Sequence, residues 1–117
     1  MSFLVERMCR MRPLYYDKMG KPLAGTVEWG KLFEDKDYAR VGWFHNPWVT
    51  VSTVWLGLDH NWGEGAPLIF ETMVFAPGMV GIDQERHSTL AQAEKGHDVA
   101  VEKYRWRIDL FLRGIYR

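Results

Sequence analysis

The stretch at residues 49–75 constrains the fold more than any other part of the sequence. Two runs rich in β-branched and apolar residues, at 49–58 and 68–75, flank a polar loop at 59–67 that contains glycine and proline. Strand-forming runs separated by such a loop are the sequence pattern of a β-hairpin. The first run alternates apolar and polar residues and then becomes apolar throughout, which is typical of a strand in the middle of a sheet.

Further strands are predicted on both sides of this hairpin. Residues 38–45 form a strand candidate that ends at an Asn-Pro turn, and residues 82–87 predict a short edge strand. Residues 14–16 and 21–23 flank a turn that ends in glycine and predict a short edge pairing. We therefore expect an antiparallel sheet of four to five strands.

A short helix is predicted near residues 26–35. Trp29 and Phe33 are spaced i, i+4, which places both rings on one face of a helix. Thr26 is the predicted N-cap, because a threonine hydroxyl can accept a backbone N–H of the first turn. Gly30 weakens the helix by about 1 kcal/mol relative to alanine, so the helix requires tertiary packing.

A long C-terminal helix is predicted at residues 88–117. Thr89 and Gln92 match the T-x-x-Q spacing of a capping box. Apolar residues then recur at helical spacing, and His97 lies on their stripe as a hydrogen-bonded core residue. A helix of about 25 residues is about 40 Å long, whereas strands of five or six residues span only ~17–20 Å. The helix is therefore expected to overhang the sheet that it covers.

The overhanging part of this helix predicts a homodimer. Its apolar residues extend onto a second face, and an exposed helix that is apolar on two faces usually has a partner. The chain has 15 basic and 15 acidic residues, so charge repulsion does not oppose association. The predicted interface residues are Trp106, Leu110 and Phe111.

Length and composition narrow the class of protein. The 117 residues predict a single α+β domain, with residues 1–12 as an arm and residues 104–117 as a helix extension. A single cysteine, Cys9, excludes an intramolecular disulfide and a cysteine-rich zinc site. No apolar run approaches the ~20 residues of a membrane span, and the N-terminus lacks the pattern of a signal peptide. We expect a cytoplasmic protein without a cofactor.

The loop at residues 59–65 holds the first candidates for a functional site. As an acid–base cluster, His60 would transfer a proton while Asp59 or Glu64 orients its ring. As a structural loop, Asp and Asn side chains would accept hydrogen bonds from nearby backbone N–H groups. We favour the structural interpretation and also regard the loop as a binding surface. The predicted binding residues are Asp59, His60, Asn61, Trp62 and Glu64.

Glu71 is a further candidate because it interrupts an apolar strand. In a pocket, this carboxyl group would be a third catalytic candidate beside His60 and Asp59. On a half-exposed sheet, it would instead pair with a cation such as Arg40 on a neighbouring strand. The alternation of the strand favours partial burial of Glu71 with a partner.

No metal site is predicted from local spacing. The four histidines lack zinc-binding spacing, although His60, His87 and Glu71 remain an alternative assembled from distant residues. Nucleic acid is not an expected partner either, because single-strand binders combine aromatic platforms with basic residues and this chain has no net charge. The tryptophans at positions 43, 48, 55 and 62 are better explained by core packing or a protein interface.

Several motifs around the hairpin are shared with a known group of proteins. STVWLGLDHNWGEGAPLIFETMVF at 52–75 is preceded by EWGKLFEDKDYARV at 28–41 and followed by ST-x-x-x-A-x-x-GH at 88–97. Over roughly residues 26–101, the chain resembles an uncharacterised family of small proteins encoded in tailed-phage and prophage genomes. The resemblance implies a phage setting and no particular activity. It does not extend to the first dozen residues or to the helix after about residue 104.

These observations lead to two alternative functions. We expect a small, non-enzymatic phage accessory protein that binds a protein partner, either a host or a defence component. Its contact surfaces would be the 59–65 loop and the aromatic faces of the strands. The alternative is a small enzyme or a nucleotide- or ligand-binding protein that uses the Asp59–Glu64 loop, including His60, together with Glu71.

Overall fold

The computed structural model describes residues 12–79, 81–109 and 112. The elements, in chain order, are α1 (Thr26–Glu34), α2 (Lys36–Ala39), β1 (Arg40–Asn46), β2 (Val49–Trp55), β3 (Phe70–Phe75), β4 (Asp83–His87) and α3 (Leu90–Tyr104). The strands form one four-stranded antiparallel sheet in the order β1-β2-β3-β4. Helix α3 packs against all four strands. This architecture confirms the predicted α+β fold.

The central hairpin consists of β2 and β3, and its register is regular. Val51 lies opposite Val74, and Thr53 lies opposite Thr72. Buried and partly exposed residues alternate along both strands because only one face of the sheet lies under α3. Trp55, at the end of β2, is completely buried.

The core has two clusters on the covered side of the molecule. The first joins the sheet to α1 and α2 and contains Tyr16, Ala39, Trp55, Ile69, Phe70 and Ala93. The second lies under the end of α3 and contains Val49, Val51, Val74, Ala76 and Tyr104. Full burial of a large apolar side chain contributes about 1.5–3 kcal/mol, so these clusters supply the main stabilisation.

Helix α1 packs through the two rings that the sequence placed on one face. The rings of Trp29 and Phe33 stack with centroids 4.9 Å apart. The predicted capping role of Thr26 is wrong, because Gly25 is the N-cap and the Thr26 hydroxyl instead bonds the Tyr15 hydroxyl. The carboxylate of Glu28 accepts the backbone N–H of Ala24, so a side chain from inside the helix stabilises the turn that enters it.

Helix α3 begins as predicted and is shorter than predicted. Thr89 and Gln92 form the reciprocal capping box. The helix ends at Tyr104, and a turn follows at residues 105–106. The backbone carbonyl of Arg105 accepts hydrogen bonds from the side chains of Asn46 and Trp48, which provide partners for a carbonyl at the end of the helix.

Several sequence predictions fall on residues outside the described ranges. The N-terminal arm, apart from Arg12, and the interface residues Leu110 and Phe111 belong to this group. Of the pairing predicted for 14–16 with 21–23, a single bridge between Tyr16 and Pro22 is present. None of the helices in the described ranges has the length and hydrophobicity needed to cross a membrane.

Candidate functional site

The 59–65 loop is organised by the buried carboxylate of Asp59. One oxygen of Asp59 accepts the backbone N–H groups of Asn61 at 2.7 Å and Leu68 at 3.0 Å. The other oxygen lies 3.0 Å from a guanidinium nitrogen of Arg12. The Asp59 side chain is fully buried, so its charge is balanced by Arg12 rather than by solvent. These contacts agree with the structural interpretation of Asp59.

Asn61 holds the tip of the same loop. Its amide nitrogen donates to the carbonyls of Glu64 and Ala66, and its amide oxygen accepts the N–H of Gly63. The Nδ1 atom of His60 lies 2.7 Å from the Leu58 carbonyl. The Asn61 side chain therefore bridges backbone groups across the tip of the loop. Trp62 is 39% exposed on its surface and is the aromatic group that the loop presents.

Glu71 is partly buried and paired, as the alternation of its strand indicated. Its carboxylate accepts hydrogen bonds from Gln84 at 2.6 Å and Arg86 at 3.1 Å, both on β4. The cation is therefore Arg86 rather than Arg40. His87 lies opposite Phe70 and faces α3, whereas Glu71 lies on the other side of the sheet, so the fold separates these two residues.

A buried polar chain connects two histidines beneath α3. The hydroxyl groups of Thr53 and Thr72 are hydrogen-bonded to each other at 2.7 Å across the hairpin. Thr53 is also bonded to Nδ1 of His97 at 2.8 Å. Thr72 is bonded to Nε2 of His87 at 3.1 Å. The bond to Thr53 confirms that His97 is hydrogen-bonded on the sheet side of its helix, although the residue is only partly buried. The sequence analysis missed the threonines, although each lies in the buried phase of its strand, where a polar side chain needs a hydrogen-bond partner.

Burial determines the titration of both histidines. Desolvation lowers the pKa of His87, and the charge of Glu85 opposes this effect. Desolvation likewise lowers the pKa of His97 against the opposing charge of Asp98. A neutral imidazole can act as donor or acceptor to a threonine hydroxyl. The hydrogen bond between His97 and Thr53 therefore attaches α3 to the sheet without a buried charge.

The face of the sheet opposite α3, here called the open face, carries the most exposed aromatic group of the strands. Trp43 on β1 is 55% exposed. It lies in one cross-strand row with Ser52 and Met73, beside a row that contains His45, Thr50 and the 37% exposed Phe75. Serine and threonine between the larger side chains give this surface an alternation of small and large groups.

A bulge in β1 shapes this face around Trp43. The register shifts between Arg40 and Gly42, with Arg40 opposite Val54 and Gly42 opposite Thr53. Residues three apart point to opposite faces of a regular strand, and an extra bulged residue brings them to the same face. The guanidinium of Arg40 accordingly lies 5.5 Å from the centroid of the Trp43 ring.

A cavity of about 230 Å³ opens beside Trp43, where α1 and α2 border the open face. Its apolar lining includes Phe33, Trp43, Val54 and Leu56, and its charged lining consists of Lys36 and Arg40. A second cavity, of about 370 Å³, lies between β4 and α3 and includes His87, Glu85 and Lys95. Neither lining contains the predicted site residues Asp59, His60, Glu64 or Glu71.

The remaining predicted residues are dispersed over the molecule. Trp55 is in the core, and the indole N–H of Trp48 is bonded to the Arg105 carbonyl, so the four central tryptophans do not form one platform. Trp106 is 71% exposed beyond the end of α3. Within the described ranges, no group of three or more His, Cys, Asp or Glu residues is placed to hold a metal ion.

Comparisons with protein-family models, curated proteins and solved structures return no match. The functional interpretation therefore rests on the geometry of the open face and on the motifs of the sequence.

Proposed function

We propose that this chain is a small phage accessory protein that binds a protein partner through the open face of its sheet. It acts by binding rather than by catalysis, and its partner is a host or defence component in the host cytoplasm. The proposal rests on one observation: the side chain of Trp43 is more than half exposed and borders a largely apolar cavity. The phage setting rests on the motif resemblance at residues 52–75.

The composition of the open face supports binding to a protein. Tryptophan and arginine are enriched among the residues that dominate protein interfaces. Arg40 and Trp43 lie against each other here, with Met73 and Phe75 on the same face. A scattered exposed ring needs no explanation, whereas several apolar groups on one sheet face indicate an interaction surface.

Two of the three carboxylates of the catalytic alternative, those of Asp59 and Glu71, have other roles. Asp59 is held by Arg12 and by backbone N–H groups, and Glu71 is held by Arg86 and Gln84. A general base must reach the proton that it removes, and both carboxylates are already engaged in contacts that organise the loop and the sheet. This engagement favours the binding interpretation over the enzyme.

The homodimer is a companion proposal. Trp106, Ile108 and Leu112 are 71%, 52% and 44% exposed. These three apolar side chains follow the end of α3, where the sequence predicted the interface. A second copy of the chain that buries them would leave the open face available to another protein.

Capture of a binding protein from host lysate tests the proposal. Variants of two exposed tryptophans, Trp43 and Trp62, serve as controls for each other. The bait proteins are the wild type, a Trp43→Ala variant and a His60→Ala/Trp62→Ala variant, each with its melting temperature checked by circular dichroism. We expect one host protein that is retained by the wild type and the loop variant and lost by Trp43→Ala. Retention by Trp43→Ala with loss by the loop variant would move the binding surface to the loop, and no retained protein would contradict partner binding.

A further inference from the structure

We infer that the cavity beside Trp43 receives one aromatic side chain of the partner, and that Lys36 and Arg40 bind carboxylates next to it. This inference rests on the proposed function and adds the chemistry of the partner: a short acidic segment with an aromatic anchor. Three properties of the cavity support it, namely its volume, its walls and the charges at its rim.

The volume fits a side chain better than a larger ligand. Pockets for drug-sized molecules and cofactors occupy about 300–1,000 Å³. The cavity beside Trp43 has about 230 Å³, which is below that range. A single anchoring residue is therefore the better match, since the residues that dominate protein interfaces are few and fill well-packed pockets.

The walls favour an aromatic residue. Three aromatic rings, those of Phe33, Trp43 and Trp55, line the cavity from different elements. Its apolar lining is completed by Ala39, Val54 and Leu56. Offset or edge-to-face contact between aromatic rings contributes about 0.5–1.5 kcal/mol beyond the burial of area. An aromatic anchor gains this contact, whereas an aliphatic anchor gains only the burial.

The rim carries two cations that have no acidic partner within the described residues. Lys36 lies over the ring of Phe33 at 5.8 Å and Arg40 over Trp43 at 5.5 Å. Neither is paired with a carboxylate among residues 12–79, 81–109 and 112, and the lining contains no acidic residue. Asp35, next to Lys36, uses its carboxylate to accept the first N–H groups of α2.

The register explains why Arg40 does not pair with Glu71. Arg40, Val54, Glu71 and Arg86 form one cross-strand row, with Val54 between Arg40 and Glu71. Strands are about 4.8 Å apart, so the Arg40 and Glu71 backbones are separated by about 10 Å. Glu71 is bonded on its other side to Arg86. A concave site with two cations attracts anionic groups, so the charge of this rim complements an acidic partner.

Four blocked pentapeptides test the inference: Ser-Asp-Phe-Asp-Ser, its Asn-for-Asp analogue, its Ala-for-Phe analogue and its Lys-for-Asp analogue. Each is titrated into the ¹⁵N-labelled full chain while the indole N–H signals are followed, with Trp43 assigned from a Trp43→Phe variant. We expect the acidic aromatic peptide to bind about five- to tenfold more tightly than the Asn analogue, as two charge-assisted contacts at an exposed rim allow. The Ala and Lys analogues should bind more weakly still.

A Lys36→Gln/Arg40→Gln variant should bind the acidic and Asn peptides equally. Its matched control is Lys21→Gln/Lys95→Gln, which removes the same charge away from the cavity and should keep the preference. The inference would be overturned if the wild type bound the acidic and Asn peptides equally or bound none of the peptides. It would also be overturned if the NMR signals that shift on binding belonged to residues away from Trp43. If lysate capture depends on Trp43 and not on Lys36 and Arg40, the open face binds its partner, but the inference that the partner segment is acidic is refuted. If capture does not depend on Trp43, the proposed function itself fails.

Discussion

Replacement of Asp59 distinguishes a structural carboxylate from a functional one. In Asp59→Ala, the N–H groups of Asn61 and Leu68 lose their acceptor, and Arg12 loses its counter-charge. Hydrogen bonds to a charged group contribute about 1.5–3 kcal/mol each, and breaking a buried ion pair costs about 3–5 kcal/mol. These contributions are not additive, and Arg12 is 17% exposed. We therefore expect the free energy of unfolding to fall by about 3–4 kcal/mol.

The Asp59→Asn variant separates the ion pair from the hydrogen bonds. The amide oxygen can still accept from the N–H groups of Asn61 and Leu68, while the charge opposite Arg12 is gone. Because Arg12 is 17% exposed and its remaining charge can be hydrated, the expected loss is smaller than for a fully buried pair, about 1–2 kcal/mol, or roughly half of the alanine effect. Glu94→Ala, an exposed acid on α3, is the control and should change stability by less than about 0.5 kcal/mol.

Urea unfolding followed by circular dichroism at neutral pH measures all three variants. A change below about 0.5 kcal/mol for Asp59→Ala would refute the structural role of the carboxylate. Equal losses for the alanine and asparagine variants would show that the ion pair to Arg12, rather than the two backbone hydrogen bonds, carries the effect.

Three further predictions concern the helix and its surroundings. Because burial lowers the pKa of His87 and His97 in the folded state, the unfolded chain binds more protons below their ordinary value of 6.5. Urea unfolding should therefore show that the free energy of unfolding falls as the pH decreases below 6.5. A variant with both histidines replaced by asparagine should show a smaller fall. The same dependence on pH in the variant and the wild type would contradict the role given to the two histidines. Tyr104→Phe removes a 2.6 Å hydrogen bond to Asp83 and should lower the free energy of unfolding by about 1 kcal/mol. Thermal or urea unfolding measures this change, and an unchanged free energy would show that the bond makes no net contribution to stability. Light scattering should give a dimeric mass for the wild type and a smaller mass for Trp106→Ala, and a monomeric wild type across micromolar concentrations would refute the homodimer.

Local patterns in the sequence predicted local structure well. Thr89 and Gln92 predicted the start of α3, because a capping box involves atoms only three residues apart. Trp29 and Phe33 predicted the packed face of α1 for the same reason. Helical spacing predicted that His97 would lie on the buried side of its helix, although not which hydroxyl it would bond.

Long-range contacts account for what was missed. The end of α3 depends on Asn46 and Trp48, which bond the carbonyl of Arg105 from 59 and 57 residues away. The partner of Glu71 depends on the register of β3 with β4, which alternation alone does not determine. The cavity beside Trp43 depends on a bulge in β1 together with the position of α2, so the candidate site emerged only from the assembled sheet.

Site-specific photo-cross-linking in host cells tests the central proposal most directly, because it captures a partner whose identity is unknown. p-Benzoylphenylalanine is placed at Trp43 on the open face, at Trp62 in the loop or at Val99 on α3, which is 56% exposed. The proposal predicts one discrete cross-linked protein from position 43 and none from position 99. A cross-link from position 62 or 99 without one from position 43 would contradict binding through the open face.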